Sequence, residues 1–279
     1  MLFGEYGILA GSDALTVPAK DYYGEWTFAD RPTKSNSLLE KFHSYLQKEG
    51  YNRVLILPEF QSEIEKGLVF TGNIPEGYGM GSSGALTAAV LKKYSIQSAK
   101  YRSLQELKNI LAGMESFFHG TSSGIDPLSC YAGKPVFFRL NDIDILNPIK
   151  SEYTFFLLDS GIPRNTSKGV KFFMNQLSDS NFKSWFTQQY IPLNNRCIED
   201  FISASSGLFD NFDRLSRMQL ELFPQQLPET IQAIWKDVLR TELTRLKLCG
   251  AGGGGFFIGI TKKDMTPVEE MRIIPFIAE

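Results

Sequence analysis

Histidine is almost absent from this sequence: His43 and His119 are the two among 279 residues, which excludes a histidine-rich metal centre. Cysteine is scarce as well. Cys130, Cys197 and Cys249 lie too far apart for a disulfide framework or a metal knot, and such usage fits a reducing compartment. There is no block of lysine or arginine, and a formal net charge of −2 gives no basic field for nucleic acid. No apolar run reaches the length of a bilayer span, and the opening residues do not read as a basic-then-apolar leader. The expected location is the cytoplasm, with neither nucleic acid nor membrane as partner. What is present is apolar and aromatic: 43% hydrophobic and 13% aromatic residues against 22% charged mark a compact globular chain, long enough for two domains.

Glycine is concentrated in a few places. Pro75-Glu76-Gly77-Tyr78-Gly79-Met80-Gly81-Ser82-Ser83-Gly84 follows the apolar run 67–74 and leads into Ala85, Leu86, Ala88 and Val90, so the order is strand, glycine loop, helix. Glycines at alternate positions let backbone N–H groups come up against a ligand. The first turn of the following helix adds unpaired N–H groups and the positive end of its dipole. A phosphate suits this setting, and Ser82 and Ser83 can add hydroxyls. The plainer alternative is a glycine-rich turn with Ser82 or Ser83 as N-cap. The loop has no Gly-Lys-Ser/Thr ending and no acidic residue at the distance a dinucleotide fingerprint requires.

Periodicity organises the rest. A strand tail, a turn and a second short strand are expected over 1–11, then strands over 14–19 and 22–28. Residues 37–48 carry Leu38, Leu39, Phe42, Tyr45 and Leu46 at helical spacing, with His43 beside that stripe as a partly exposed packing residue and Gly50 as the stop. A strand is expected over 53–57, with another before Gly67. Helices follow over 83–94 and 104–118, a strand over 133–140 and a connecting stretch over 141–150. A domain boundary is placed at 149–151. Beyond it come a strand over 153–159, helices over 168–177, 184–190, 195–209, 212–223 and 229–243, and strands over 245–248, 256–260 and 271–274. Few strands with many helices predict an α+β architecture.

Two carboxylates stand where chemistry needs them. Asp126 follows the glycine- and serine-rich stretch 119–124, a setting in which it can hold an incoming hydroxyl or receive its proton; the plainer role is a helix N-cap ahead of Pro127. Glu115 sits near the end of the preceding helix. With Ser82 and two phosphoryl oxygens it would make a magnesium site, which requires the Glu115 and Ser82 oxygens to lie within roughly 4–5 Å of each other. A solvated helix face is its alternative. The run Gly250-Ala251-Gly252-Gly253-Gly254-Gly255 carries a high entropic cost, which suits a loop passing directly over a ligand. Arg164-Asn165-Thr166 offers a cation and a hydroxyl at a strand exit, or a surface turn.

These segments form an ordered set: Leu2-Phe3-Gly4-Glu5-Tyr6, the loop 75–83, Glu115 through His119-Gly120 to Asp126, Pro163-Arg164-Asn165-Thr166, and Lys247-Leu248-Cys249-Gly250-Ala251-Gly252-Gly253-Gly254-Gly255. Over almost the whole chain the set resembles the GHMP superfamily of small-molecule kinases, most of all mevalonate kinase. The resemblance implies an N-terminal domain (1–150) like the second domain of ribosomal protein S5, a ferredoxin-like C-terminal domain (151–279), and an active site in the cleft between them. It implies ATP with magnesium. By the same carry-over Ser82 and Glu115 match metal ligands, and Gly77, Gly79, Met80, Gly81, Ser82 and Ser83 match the phosphate cradle. Gly250, Ala251, Gly252 and Gly253 match the loop that supports the phosphates. Asp126 faces the acceptor hydroxyl with Thr166 near it, and Glu5, Tyr6, Arg164, Thr166 and Ala251 belong to the acceptor side.

The implied reaction is in-line transfer of the γ-phosphate to a small-molecule alcohol, taking mevalonate to 5-phosphomevalonate in isoprenoid biosynthesis. Alternatives are phosphomevalonate or a sugar as acceptor, or a catalytically silent nucleotide-binding homologue; a homodimer is one option. Tyr6 stands where mevalonate kinase usually has histidine, and both Tyr6 and the ending Ser82-Ser83-Gly84-Ala85 are more like phosphomevalonate kinases. Mevalonate kinases also carry a lysine ahead of the Leu2 position, which the coding sequence upstream of Met1 is expected to supply.

Overall fold

A computed structural model of the chain describes residues 1–31, 34–96, 103–140, 142–164, 166–262 and 273–277, without the side chains of 166–168 and 275–277. In chain order its elements are β1 Ala14–Thr16, β2 Gly24–Phe28, α1 Lys34–Lys48, α2 Leu57–Glu65, β3 Leu68–Gly72, α3 Ser82–Tyr94, α4 Leu104–His119, α5 Ile125–Ala132, β4 Val136–Arg139 and β5 Asp142–Ile145. They continue as β6 Thr154–Asp159, α6 Thr166–Leu177, α7 Ser180–Trp185, α8 Ile191–Ile202, α9 Leu208–Leu222, α10 Glu229–Val238, β7 Thr244–Leu248, β8 Phe256–Thr261 and β9 Ile273–Ile277. The mixture is the α+β one expected.

Two compact units divide these elements. A helical unit takes Lys20–Pro75 and Gly81–Gly133; a sheet unit takes Met1–Ala19, Glu76–Met80 and Lys134–Glu279. In the helical unit β2 and β3 pair antiparallel, Gly24 opposite Gly72 and Phe28 opposite Leu68. Alternation along β2 turns Trp26 onto Phe70 and Tyr94, with ring centroids 5.0 and 6.3 Å away. Helices α3, α4 and α5 pack on one another, and their buried stripes include Leu86, Val90, Leu91, Leu107, Leu111, Met114 and Leu128.

The sheet unit holds a four-stranded antiparallel sheet in the order β7-β8-β6-β9, as the ferredoxin-like expectation requires. Its core is aromatic: Phe3, Phe155, Phe201, Phe212 and Trp235 are essentially inaccessible. A smaller sheet in the order β1-β4-β5 lies in the same unit, and Phe3 bridges to Leu15 of β1. The Gly4 N–H donates to Asn194 Oδ1 of α8 at 3.0 Å. Packing therefore groups the residues differently from the family-domain boundary expected at 149–151, because the start of the chain packs on its later half, Phe3 against Phe201 and Phe212.

Several local expectations fail for identifiable reasons. Residues 53–57 are not a strand, and the stretch before Gly67 is α2, with Pro58 in its first turn and Leu57, Phe60 and Ile64 on its buried side. Residues 1–11 end in a 3-10 turn, Gly7–Ala10, rather than a second strand. Part of the supposed connection 141–150 is β5, whose Asp142 and Asp144 both pair with Arg139 of β4. The helix expected over 184–190 is a π-type turn, Phe186–Tyr190, joining α7 to α8, since Pro192 falls in the first turn of α8, where proline is tolerated. The helix expected over 195–209 stops at Ile202, where Ala204 takes φ 52°. The last helix ends at Val238 because the Arg245 guanidinium gathers the carbonyls of Val238, Thr241 and Thr244. His43 is buried rather than partly exposed, its Nε2 3.2 Å from Leu57 O and its ring against Phe60. Met271 and Arg272 lie outside the described residues.

Candidate active site

In the helical unit the glycine loop ends at Gly81, which caps α3 in the left-handed conformation with no side-chain hydrogen bond to the first turn. Neither Ser82 nor Ser83 is the N-cap, so the serine-capped turn is ruled out and the first N–H groups of a thirteen-residue helix are open to an anion. Asp126 lies beside this helix start. A Cβ placed on Gly84 would come within 2.9 Å of Pro127 N and 3.0 Å of the Asp126 carbonyl carbon, so only glycine lets α3 and α5 approach this closely. A Cβ on Gly81 would stand 3.8 Å from Asp126 Cγ. Asp126 is exposed and does not cap α5; Gly124 does, while Ser122 Oγ and Ser123 Oγ accept from the Gly124 and Ile125 N–H groups.

Glu115 is 5% exposed and points inward from α4. Its Oε1 accepts from Ser83 Oγ at 2.8 Å and its Oε2 from Ser122 Oγ at 2.5 Å, while Ser83 Oγ also lies 3.0 Å from His119 Nε2. Burial raises the Glu115 pKa and the nearby Asp126 charge adds to the rise, against the serine hydrogen bonds and His119. Of the two loop serines it is Ser83 whose hydroxyl bonds to this carboxylate, where Ser82 was expected. Among the described residues no group of three or more His, Cys, Asp or Glu could hold a metal ion. One carboxylate with serine hydroxyls still fits magnesium, which takes few protein ligands when phosphate oxygens supply the rest.

In the sheet unit Arg164 is the centre. Its N–H donates to Gly77 O at 2.9 Å and its Nη1 to Cys249 O at 3.0 Å. The guanidinium fills the space where side chains on Gly79 and Gly250 would be, 1.7 Å from a Cβ on the first and 2.3 Å from one on the second. Its Nε is buried without a partner. Nearby, Tyr6 is 4% exposed and donates from its hydroxyl to Ala251 O at 2.6 Å, while Gly253 N–H donates to Gln226 O at 2.6 Å. Burial pushes the Tyr6 phenol pKa up, opposed by Arg164. Tyr6 has φ 56° and ψ −41°, a conformation that costs a non-glycine residue on the order of 1–3 kcal/mol. Glu5 and Lys247 form a fully buried ion pair, Nζ to Oε1 2.5 Å, and burial raises the Glu5 pKa in spite of the lysine.

The structure thus gathers Gly81, Ser82, Ser83, Glu115 and Asp126 within the helical unit, and Glu5, Tyr6, Gly77, Gly79, Met80, Arg164, Gly250, Ala251, Gly252 and Gly253 within the sheet unit. Asn165 and the side chain of Thr166 lie outside the described residues; the Thr166 backbone opens α6. Sequence reasoning missed Ser122 as a partner of Glu115, and Lys247 as a partner of Glu5. The latter had a signal: a lysine between Leu246 and Leu248 in a strand whose last four residues are all buried.

Residues 38–134, which hold the loop from Pro75 onward, Glu115 and Asp126, match the family model for the GHMP kinases N terminal domain. By sequence, this stretch is matched as a GHMP kinase N-terminal domain. That match, with the kinase folds below, supports a phosphotransferase. Solved structures agree in fold. A Streptococcus pneumoniae phosphomevalonate kinase in complex with phosphomevalonate and AMPPNP is 17% identical with TM-score 0.65, covering 94% of this chain and 90% of that one. An L. major mevalonate kinase in complex with R-mevalonate is 17% identical with TM-score 0.64, covering 94% of this chain and 84% of that one. A Staphylococcus aureus mevalonate kinase is 19% identical with TM-score 0.57, covering 100% and 96%. No curated protein matches by sequence.

Proposed function

We propose that the chain is an ATP-dependent kinase of a small-molecule alcohol, with mevalonate as acceptor and 5-phosphomevalonate as product. The observation that carries this reading is the Asp126 carboxylate beside Gly81 and Gly84 at the uncapped start of α3. A phosphate held by those N–H groups has a carboxylate next to it that can take the proton of an attacking hydroxyl. Glu115, with Ser83 and Ser122 around it and Ser82 as the other hydroxyl, would hold magnesium, which supplies neutralisation of phosphate charge. Gly77, Gly79, Met80 and Gly81, and likewise Gly250, Ala251, Gly252 and Gly253, are assigned to the nucleotide. Arg164, fixed by two backbone carbonyl contacts and one unpartnered Nε, is suited to an anionic group on the acceptor, and Thr166 is assigned to the same side. Residues 1–150 and 151–279 are taken as the two family domains, and the cytoplasm as the location; no described helix is long and apolar enough to cross a membrane.

Phosphomevalonate is the second acceptor to test, on the strength of Tyr6, the Ser82-Ser83-Gly84 ending and the likeness to a phosphomevalonate kinase. The experiment is ADP release with magnesium-ATP against a panel of mevalonate, phosphomevalonate and sugars. Turnover on mevalonate well above the rest supports the assignment. Turnover on phosphomevalonate or a sugar moves the acceptor, and nucleotide binding without turnover on any alcohol supports the silent homologue.

A further inference from the structure

Glu5 and Tyr6 occupy positions that the family resemblance assigns to the acceptor, yet both side chains are turned into the protein. Glu5 is 2% exposed and engages Lys247, whose Nζ also donates to Leu248 O at 2.7 Å. The Leu248 N–H is taken by Gln219 Oε1 at 2.8 Å, and Gln219 Nε2 donates to Tyr190 OH at 2.7 Å. Four residues further along the chain, the Tyr6 hydroxyl holds Ala251 O. The Tyr6 ring is gripped by Phe173 and Phe223, centroids 4.8 and 4.7 Å away. Gly169 of α6 leaves room for this contact, since a Cβ there would come within 2.6 Å of Ala251 O and 2.7 Å of the Tyr6 hydroxyl oxygen.

Lys247 and Ala251 bracket Cys249 and Gly250, the two residues that seat the Arg164 guanidinium. We infer that the turn Gly4-Glu5-Tyr6 is a clamp: Glu5, through Lys247, and Tyr6, through Ala251, fix both ends of the segment that positions Arg164 and the start of the glycine run, and neither touches the acceptor. A buried ion pair with one carboxylate oxygen, Glu5 Oε2, left unpartnered is a poor device for stability alone. The backbone strain at Tyr6 likewise persists only where surrounding contacts over-determine it. Both features suit a part whose work is to set a position. Strand β7 could end in a freely moving glycine run; these contacts fix the run at 248, 251 and 253, the last through Gln226 O. The clamp's catalytic purpose rests on the kinase reading, but its existence does not.

Tyr6→Phe keeps the ring packing and deletes one hydroxyl. Hydrogen exchange of the amides of 249–255 should rise about three- to tenfold, the effect of losing one intramolecular hydrogen bond. Binding of magnesium-AMPPNP should weaken together with kcat, and the acceptor KM should rise in step with them, since the same segment seats Arg164. Replacing the ion pair as Glu5→Leu with Lys247→Leu should keep the fold and loosen the same amides, and this change has no hydroxyl effect in common with the first. Unchanged exchange over 249–255 in Tyr6→Phe overturns the clamp, as does a selective rise in acceptor KM, which would make Tyr6 a substrate contact. Exchange requires neither nucleotide nor acceptor, so its result stands even if the chain phosphorylates no alcohol in the panel.

Discussion

Glu115 is a carboxylate held out of water on α4 and supported by hydroxyls rather than by a cation of the protein. Burial raises its pKa above the ordinary 4.5, so between 4.5 and the raised value the folded chain binds more protons than the unfolded one. The native state therefore loses stability as pH climbs through that window. Glu115→Gln, always neutral, should make the metal-free protein more stable than wild type at neutral pH and flatten its melting temperature against pH above 4.5. Magnesium with AMPPNP should favour wild type over the variant. Thermal unfolding with and without magnesium nucleotide checks both, and a destabilised metal-free Glu115→Gln would show that the carboxylate is needed as a hydrogen-bond acceptor and not as a charge. Arg164 makes a second case: Gly79→Ala should displace its guanidinium and weaken nucleotide or acceptor binding roughly tenfold or more, readable by calorimetric titration. Asp126 and Arg164 stood out in the sequence because one follows a glycine- and serine-rich stretch and the other a strand exit, whereas Glu115 was singled out by its place near the end of a helix and by the family resemblance. The partnership of Glu115 with Ser83 rather than Ser82 was not legible, since adjacent serines on a helix differ by about 100° in direction and sequence does not say which one faces α4.

Among the elements, the approach of α3 to α5 carries the site. Gly84 stands where any side chain would meet the backbone of Asp126 and Pro127, so Gly84→Val should push α5 off α3, cost about 1–3 kcal/mol in urea unfolding and move Asp126 away from Gly81. Gly133→Ala, at a position where a Cβ meets nothing within 4 Å, is a useful control: its effect should come from its left-handed φ of 60° alone. Stability equal to wild type in Gly84→Val would mean that the helices do not need this contact. Strongly periodic helices were legible to within a residue or two, as with α3 and α4. The failures share a cause, which is that short segments are decided by tertiary partners. Val54, Leu55 and Ile56 look like a strand, yet among the described residues just one backbone bridge, Leu55 to Ser95, forms there, and the next residues turn helical over Pro58. β5 alternates aspartate with isoleucine and reads as a loop until Arg139 on the neighbouring strand supplies the countercharge.

For the molecule as a whole, the comparisons and the strand order agree on the GHMP kinase fold, and the proposed chemistry rests on a few residues grafted onto it. The part least legible in the sequence was the tie between its two ends: Glu5 meets Lys247 and Tyr6 meets Ala251 inside the sheet unit, and no local pattern announces a pairing so distant along the chain. A nucleotide that binds only the folded chain should raise the melting temperature, with about 2.7 kcal/mol of stabilisation at a hundredfold excess over Kd. Asp126→Asn should keep that stabilisation, because the role proposed for Asp126 is toward the acceptor and not the phosphates. The most direct test of the account is therefore turnover of wild type and Asp126→Asn on the accepted alcohol, measured beside magnesium-AMPPNP affinity. A fall in kcat of about 10²–10⁴ with affinity unchanged within twofold is the expected result. Turnover retained in Asp126→Asn, or turnover and nucleotide affinity lost in step, would contradict the role given to the carboxylate beside Gly81.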